Sequence, residues 1–273
     1  MIKFFRKIRY DLMEKNKTGK YFKYAIGEIV LVVIGILIAL QINNWNIRKS
    51  QQSEIKEIAH SLVSDLEEDI KMFDKRKKQM IMISKRIDSL SNYVVDKEID
   101  QISNLDFLCL SWNLLYMPFN WNRATLDQMK NSGSLKYIKN DTLIKKISNY
   151  DALTKHLDED YLNDKNKSEN AIRIINKVTN NNYPNMEKLR KDVFLKINDI
   201  RYDVFWTFSE PEYQKAKKYQ LKLITKDLKE IQEAINSLTR LQFHYTIRIE
   251  HEANRQKEGA QEIISIIEEM YYD

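Results

Sequence analysis

Residues 25–45 read AIGEIVLVVIGILIALQINNW, and this stretch decides how the chain is organised. Its core, Ile29–Leu40, is an unbroken run of 12 apolar residues. A helix that crosses a bilayer needs roughly 20 residues, so the core alone is too short and the flanks must extend it. Aromatic residues mark both predicted interfaces, namely Tyr21, Phe22 and Tyr24 before the core and Trp45 after it. The pattern predicts a transmembrane helix over residues 25–45.

The charges around this span predict its orientation. Eight basic and two acidic residues precede it, which gives residues 1–24 a net charge of +6. The whole chain also carries +6, so residues 25–273 sum to zero. Because basic residues collect on the cytoplasmic side, we expect a cytoplasmic N-terminus and an extracytoplasmic domain over 46–273. A cleaved signal peptide is the alternative, but Gln41–Trp45 lacks a small-residue cleavage site.

Residues 1–24 form a basic segment in which apolar residues recur at helical spacing from Ile2 to Leu12. This spacing predicts an amphipathic helix on the inner leaflet. Its lipid-facing basic residues are Lys3, Arg6, Lys7 and Arg9. Beside a membrane span, a basic arm is more simply explained by anionic lipid than by nucleic acid, so membrane lipid is the expected partner. A disordered basic tail is the alternative.

The rest of the chain predicts long helices. With 5 glycines and 3 prolines in 273 residues, a turn-rich β-fold is disfavoured. Apolar residues recur every three or four positions over residues 46–95, and a helix from 141 extends to about Val178, with a polar middle at 158–170. We expect an all-α fold: one N-terminal transmembrane helix, then an elongated extracytoplasmic bundle of long antiparallel helices in which the first and last pair.

Several local signals refine this expectation. A coiled-coil-like 4-3-4-3 seam runs from Ile224 to Leu238, and its positions turn polar from Arg248 to Glu258. Gly133 is placed to end a short helix, and Asn140 or Asp141 to begin the next. The remaining expectations are a solvent-facing basic run at 75–78, a loop at 180–184, a helix at about 186–200 and an N-cap at Ser209.

Two stretches carry a family resemblance. In Tyr24–Trp45, a Gly-Glu pair and a Gln-Ile-Asn-Asn-Trp segment frame the apolar core, and residues 125–140 read TLDQMKNSGSLKYIKN, with a Ser-Gly-x-Leu motif. On these residues the chain resembles a family of uncharacterised single-pass membrane proteins common in Bacteroidota, known as a domain of unknown function. The resemblance implies a bacterial membrane location. Together with the orientation predicted from charge, it leads us to expect an inner-membrane protein with its C-terminal domain in the periplasm. It supplies no activity and no catalytic residues.

Motifs that would indicate catalysis are absent from the sequence. It contains no P-loop, no Gly-x-Ser-x-Gly and no Gly-x-Gly-x-x-Gly, and its four histidines are scattered without a His-Glu-x-x-His pattern. We therefore expect no enzyme activity, no catalytic residues, no metal site and no cofactor.

Glu28 is an acidic residue near the cytoplasmic end of the span, where a charge is costly and usually functional. Helical spacing places it on one stripe with small residues that let two helices approach closely. The hypothetical association face consists of Glu28, Val32, Gly35, Ala39 and Ile42. Alternatively, the Glu28 side chain extends to the interface near Lys20 and Lys23.

Two functions remain open on the sequence alone. The favoured one is a membrane-anchored, non-enzymatic helical module that binds protein partners or itself, as a homo-oligomer or with another membrane protein. The alternative is a ligand-sensing bundle that signals through its span to a partner. Its possible aromatic pocket comprises Trp112, Tyr116, Phe119, Trp121 and Trp206. Packing of these aromatics where helices break is the competing explanation.

Overall fold

The computed structural model describes residue 10 and residues 18–111, 114–180 and 222–272. Over these ranges the chain is helical and contains no β-strand, so the all-α prediction is confirmed for them; one isolated bridge joins Ser103 and Lys222. The helices are α1 (Thr18–Val95), α2 (Asn104–Ser111), α3 (Ala124–Ser132), α4 (Asp141–Val178), α5 (Leu228–Ile247) and α6 (Asn254–Tyr271). Single 3-10 turns lie at Ile99–Gln101 and Ser134–Tyr137, and a π-helical turn, Arg248–Ala253, joins α5 to α6.

The chain divides into two compact units, Met1–Ile58 and Ala59–Asp273. From residue 18 onward, the described part of the first unit consists of one helix, the beginning of α1. The second unit contains the rest of α1 and the helices from α2 to α6. The predicted helix at about 46–95 is confirmed, and it begins earlier than predicted, at Thr18. No glycine or proline interrupts residues 36–95, which removes the commonest causes of a helix break.

Within the second unit, α1 buries the stripe that its sequence predicts. Side chains three or four positions apart share one face of a helix, so a periodic apolar pattern produces a continuous buried strip. The strip consists of Leu62, Leu66, Phe73, Met80, Ile83, Ile87, Leu90 and Val94. Each fully buried side chain of this size contributes about 1.5–3 kcal/mol relative to an exposed one, which makes the strip a principal source of stability.

Two predicted helix boundaries are confirmed. Helix α3 ends at Gly133, whose φ of 67° lies in the left-handed region that glycine adopts without steric cost. Helix α4 begins after Asn140, whose side-chain oxygen accepts a hydrogen bond from the backbone N–H of Leu143 at 2.9 Å. From there α4 continues to Val178 without interruption, through its polar middle.

Side-chain contacts fix the relative directions of the long helices in this unit. Along α1, Asp74 contacts Lys257 and Ser84 contacts Gln242, so residue numbers rise on one helix as they fall on the other. In the contacts of α4, residue numbers also rise on one side and fall on the other: Lys146 pairs with Glu262 of α6, and Lys177 pairs with Glu233 of α5. The segment from α5 to α6 therefore runs antiparallel to both α1 and α4.

Two expectations need correction. Helix α5 begins at Leu228, because the Asp227 side chain accepts the N–H of Lys229 and caps the helix there. Consequently Ile224 lies outside the helix, and both Ile224 and Leu228 are exposed, so the predicted seam starts later. In the basic run, Arg76 is 8% exposed and its Nε donates to the Pro118 carbonyl at 2.9 Å, so this residue does not face solvent.

Other expectations concern residues outside the described ranges. These are the helix at about 186–200, the N-cap at Ser209 and, beyond Asn180, the loop at 180–184.

Candidate functional site

The apolar part of α1 in the first unit exposes its side chains on every face. From Ile29 to Leu40 all residues are exposed, and an 18-residue window in this helix has a mean hydropathy of 2.6 with none of it buried. Among the described residues, α1 is the one helix that is sufficiently long and apolar to cross a membrane. The same length and composition also occur in signal sequences and in core helices of soluble proteins.

The predicted association face is accessible along its length. Val32 and Ile42 are each more than half exposed, and a Cβ added at Gly35 would meet no atom within 4 Å. The structure contains a single chain, so association through this face stays a prediction. The predicted lipid-facing basic residues, Lys3, Arg6, Lys7 and Arg9, lie outside the described ranges.

The described members of the predicted aromatic pocket pack into the core of the second unit. Tyr116 is 1% exposed and meets Tyr245 edge-on at 5.4 Å between ring centroids. Phe119 stacks on Trp121 at 5.0 Å, and both rings contact Phe73 of α1. This geometry matches packing where helices break. Trp112 and Trp206 lie outside the described ranges, so the five-residue pocket stays a prediction.

A charged cluster between α4 and the π-helical turn is the most distinctive polar feature of the second unit. Arg248 is at its centre, with a side chain only 10% exposed. Its Nη2 lies 2.8 Å from Asp160 Oδ1 and its Nε lies 3.1 Å from Asp164 Oδ2. Its Nη1 donates to Glu252 Oε1 at 2.6 Å. One guanidinium thus binds three carboxylates, using the geometry that makes arginine suited to such pairing.

The π-helical turn explains how a charged residue enters a buried seam. Along α5, the turn and α6, buried positions include Leu241, Tyr245, Arg248, Ala253 and Gln256, which are separated by four, three, five and three residues. The step of five coincides with the π-turn, where one extra residue shifts the helix face. The extra residue lets the buried stripe resume on α6 after Arg248.

The electrostatics of this cluster follow from its burial. Burial lowers the pKa of Arg248, but Asp164 and Glu252 more than offset this effect and hold the pKa above its ordinary value. Burial and the neighbouring Asp160 raise the pKa of Glu252, although hydrogen bonds from Arg248 oppose that rise. The Tyr116 hydroxyl donates to Asp164 Oδ2 at 3.1 Å, and burial together with that carboxylate raises the pKa of Tyr116. Tyr116 therefore stays a neutral donor.

Sequence reasoning did not find this cluster, although a signal for it exists. Residues 158–170 and 248–258 are the two places where polar residues interrupt a predicted apolar seam. In the structure these two stretches face each other, and the first supplies Asp160 and Asp164 to the second's Arg248. Because buried charges are paired, two polar interruptions in one fold predict a contact between them.

Three residues of the cluster region place metal-ligating atoms together. His156, Asp160 and Glu252 each offer one ligand atom, and these atoms lie within 4.8 Å of one another. His156 and Asp160 are one helical turn apart on α4, and Glu252 comes from the π-helical turn.

Comparison with known proteins gives one partial match. A family model described as Family of unknown function (DUF6090) matches residues 28–151, from the apolar part of α1 through α3 to the first part of α4. The match agrees with the resemblance to an uncharacterised family and brings no activity with it. No curated protein and no solved structure matches the chain. The charged cluster, from His156 to Glu252, lies beyond the matched residues.

Proposed function

We propose that this chain is a membrane-anchored, non-enzymatic helical module that binds protein partners or itself. The observation that carries the proposal is the uninterrupted apolar surface of Ile29–Leu40, which is exposed all the way round the helix. In water each such side chain forgoes about 1.5–3 kcal/mol of burial energy, whereas hydrocarbon solvates all of its faces. A bilayer therefore accounts for this surface.

In this proposal the span is a single-pass anchor in a bacterial inner membrane. Its N-terminus is cytoplasmic, because the +6 charge of residues 1–24 precedes the apolar core. The helices of Ala59–Asp273 form the working part of an extracytoplasmic bundle in the periplasm. The family resemblance supports a bacterial membrane location, and the antiparallel packing of α1 and α4 against α5 and α6 supports a bundle.

Reporter fusions test the topology in native membranes. A phosphatase joined after Asp273 should be active, and a reporter that matures only in the cytoplasm should be inactive at the same position. Reversing the eight basic charges of residues 1–24 should scramble the orientation. An inactive phosphatase together with an active cytoplasmic reporter on the unaltered chain would overturn the proposed orientation.

The association face supports partner or self binding within the bilayer. Gly35 and Ala39 are four residues apart, the small-xxx-small spacing that allows two helix backbones to approach closely. A Cβ added at Gly35 meets no atom within 4 Å among the described residues, so we expect a larger residue there to act through contacts with other molecules.

Crosslinking in native membranes tests this face. Gly35→Leu should reduce crosslinked oligomers or captured partners, because it pushes the two backbones apart. Glu28→Gln should reduce them less, since an amide still forms interhelical hydrogen bonds, which average about 0.6 kcal/mol. Leu37→Ala, nine residues after Glu28 and on the opposite face of the helix, is the control. Unchanged crosslinking in Gly35→Leu would leave the span as an anchor without an association role.

A further inference from the structure

The scattered histidines of the sequence predict no metal site, but the structure brings three ligand atoms together, and we propose that His156, Asp160 and Glu252 form a binding site for a divalent transition-metal ion of the zinc class. The site lies wholly within the second unit and is independent of the proposed anchoring role. One imidazole and two carboxylates form a ligand set that suits zinc and its neighbours in the first row. Three protein ligands leave at least one coordination position for water.

The positions of the three side chains suit a common ion. His156 Nε2 is 3.1 Å from Asp160 Oδ2 and 4.0 Å from Glu252 Oε1. Zinc binds nitrogen and oxygen at about 2.0–2.2 Å, so tetrahedral ligand atoms lie about 3.3–3.6 Å apart. The two separations bracket this value. The His156 side chain is 54% exposed, which leaves its ring room to rotate toward the ideal geometry.

The Asp160 carboxylate gives an independent indication of a cation. This residue is 7% exposed, and its Oδ1 is occupied by Arg248 at 2.8 Å. Its Oδ2 is buried and accepts no hydrogen bond within the described residues, although His156 Nε2 faces it at 3.1 Å. The buried oxygen therefore lacks a bonding partner at a place where an imidazole nitrogen comes close to it. A cation between Asp160 Oδ2 and His156 Nε2 would accept a lone pair from each atom.

The charge balance of the surrounding cluster favours a divalent ion. Three carboxylates, Asp160, Asp164 and Glu252, face one guanidinium, that of Arg248, which leaves these four groups with a charge of −2. One divalent cation brings this total to zero. Arg248 also fixes both carboxylates, since it binds Asp160 Oδ1 and the two oxygens of Glu252, as outer hydrogen-bond partners do at known metal sites.

Solvent reaches the site along the surface of α4 and α6. A groove of about 590 Å³ runs between these helices, and His156 lies in its lining together with Tyr150 and Gln256. A bound ion ties α4 to the π-helical turn, because His156 and Asp160 belong to one element and Glu252 to the other.

Titration of the full-length protein in mild detergent tests the site, after chelation to remove bound metal. Isothermal titration with ZnCl₂ should give one equivalent of high-affinity binding, and the thermal midpoint of the second unit should rise with Zn²⁺ concentration. Replacing zinc with Co²⁺ should produce the visible absorption of a low-coordinate N/O site. Binding of less than one equivalent, or absence of the cobalt band, would overturn the proposal.

Matched variants separate the site from surface binding. His156→Ala should weaken Zn²⁺ binding at least about 100-fold and abolish the cobalt band, since loss of even an outer-shell partner costs 10–100-fold. His156 is more than half exposed, so this variant should keep the unliganded circular dichroism spectrum. The control is His251→Ala, which removes an exposed imidazole from the π-helical turn that also carries Glu252. Equal affinity in wild type and His156→Ala would refute the site, as would a loss confined to His251→Ala.

Discussion

Residues 29–40 and 80–90 belong to the same helix, yet they distribute apolar side chains in opposite ways. In the first segment every residue is apolar and every residue is exposed. In the second, Met80, Ile83, Ile87 and Leu90 are fully buried, while charged residues such as Lys85 and Asp88 are exposed. One helix thus contains a segment whose apolar side chains have no preferred face and a segment whose apolar side chains lie on a single face.

The difference shows that periodicity, rather than hydrophobic content, determines which partner a helix needs. A stripe of side chains can be covered by helices packed on one side, and α1 in the second unit is covered in this way. A surface that is apolar on all faces needs either several surrounding helices or a lipid solvent. Substitutions in the two segments should therefore differ in their effects on membrane insertion and on folding.

Charges placed in the first segment should remove the chain from the membrane. An arginine at the centre of a membrane helix costs about 2.5–3.5 kcal/mol, so Ile34→Arg with Ile38→Arg should cost about 5–7 kcal/mol of insertion free energy. We expect the wild-type chain to stay in the membrane pellet after an alkaline wash and the double variant to appear in the supernatant.

The control places the same two arginines at exposed apolar positions of the second unit, as Leu162→Arg with Phe243→Arg, which are 58% and 64% exposed in the wild type. This control should remain in the pellet. A wild-type chain that washes off the membrane would remove the distinction between the two segments.

The same substitution in both segments should have very different effects on folding. Ile87 is 0% exposed, and Ile87→Ala should lower the free energy of unfolding by about 2–5 kcal/mol, because it leaves a cavity as well as losing buried area. Ile36→Ala, at an exposed position of the same helix, should change it by less than about 0.5 kcal/mol. Urea unfolding in mild detergent, followed by circular dichroism, measures both values. Similar losses for both variants would show that the first segment is also packed against protein.

Much of this organisation could be predicted from local sequence. The stripe of α1 is a repeating spacing, Gly133 is a conformational requirement and Asn140 is a hydrogen-bonding side chain at a helix start. Each of these signals involves residues within a few positions of one another. The pattern alone was therefore sufficient to predict them.

The charged cluster could not be predicted in the same way, because its parts are about 90 residues apart. On their own, Asp160 and Asp164 look like solvent-facing acids on a polar helix, and Arg248 looks like a break in a seam. The burial of the two aspartates is explained by Arg248, and that of Arg248 by the aspartates, since a buried charge requires an opposite charge beside it. The π-helical turn also shifts the face by one residue, which a regular 3.6-residue repeat does not anticipate.

Replacing glycines with alanine should also distinguish the two regions, with smaller changes in the free energy of unfolding. Gly133→Ala should destabilise the second unit by about 1–2 kcal/mol, because its φ of 67° is unfavourable for a residue with a Cβ. Gly259→Ala should stabilise it by about 0.5–1 kcal/mol, since this helical position gains propensity and the new Cβ would lie 3.9 Å from Tyr150 Cδ2, an ordinary contact.

Gly35→Ala should leave the unfolding of the second unit unchanged, because its Cβ would meet nothing within 4 Å. Urea midpoints of the three variants test these signs. A destabilising effect of Gly259→Ala equal to that of Gly133→Ala would contradict the conformational explanation.

The smallest expected effect concerns an ion-pair group at the surface of the packed unit. Asp151 Oδ2 lies 2.6 Å from Lys130 Nζ and 2.9 Å from Lys155 Nζ. Burial raises the pKa of Asp151, but the hydrogen bonds from the two lysines more than offset it and hold the pKa below its ordinary value of 3.8. A lowered carboxyl pKa means that the unfolded state binds more protons, so the pair stabilises the fold above about pH 3.8 and loses this effect as pH falls through the folded pKa.

Asp151→Asn should therefore lower the free energy of unfolding at pH 7 by up to about 1 kcal/mol, because both lysines are partly exposed and screened by solvent. The difference from wild type should shrink as pH falls below 3.8, and added salt at pH 7 should also reduce it. Glu258→Gln, which removes an exposed carboxylate from α6, is the control and should change the urea midpoint at pH 7 much less. Urea midpoints at several pH values measure the effect. A difference between Asp151→Asn and wild type that grows on acidification would show that burial, rather than the two lysines, dominates this carboxylate.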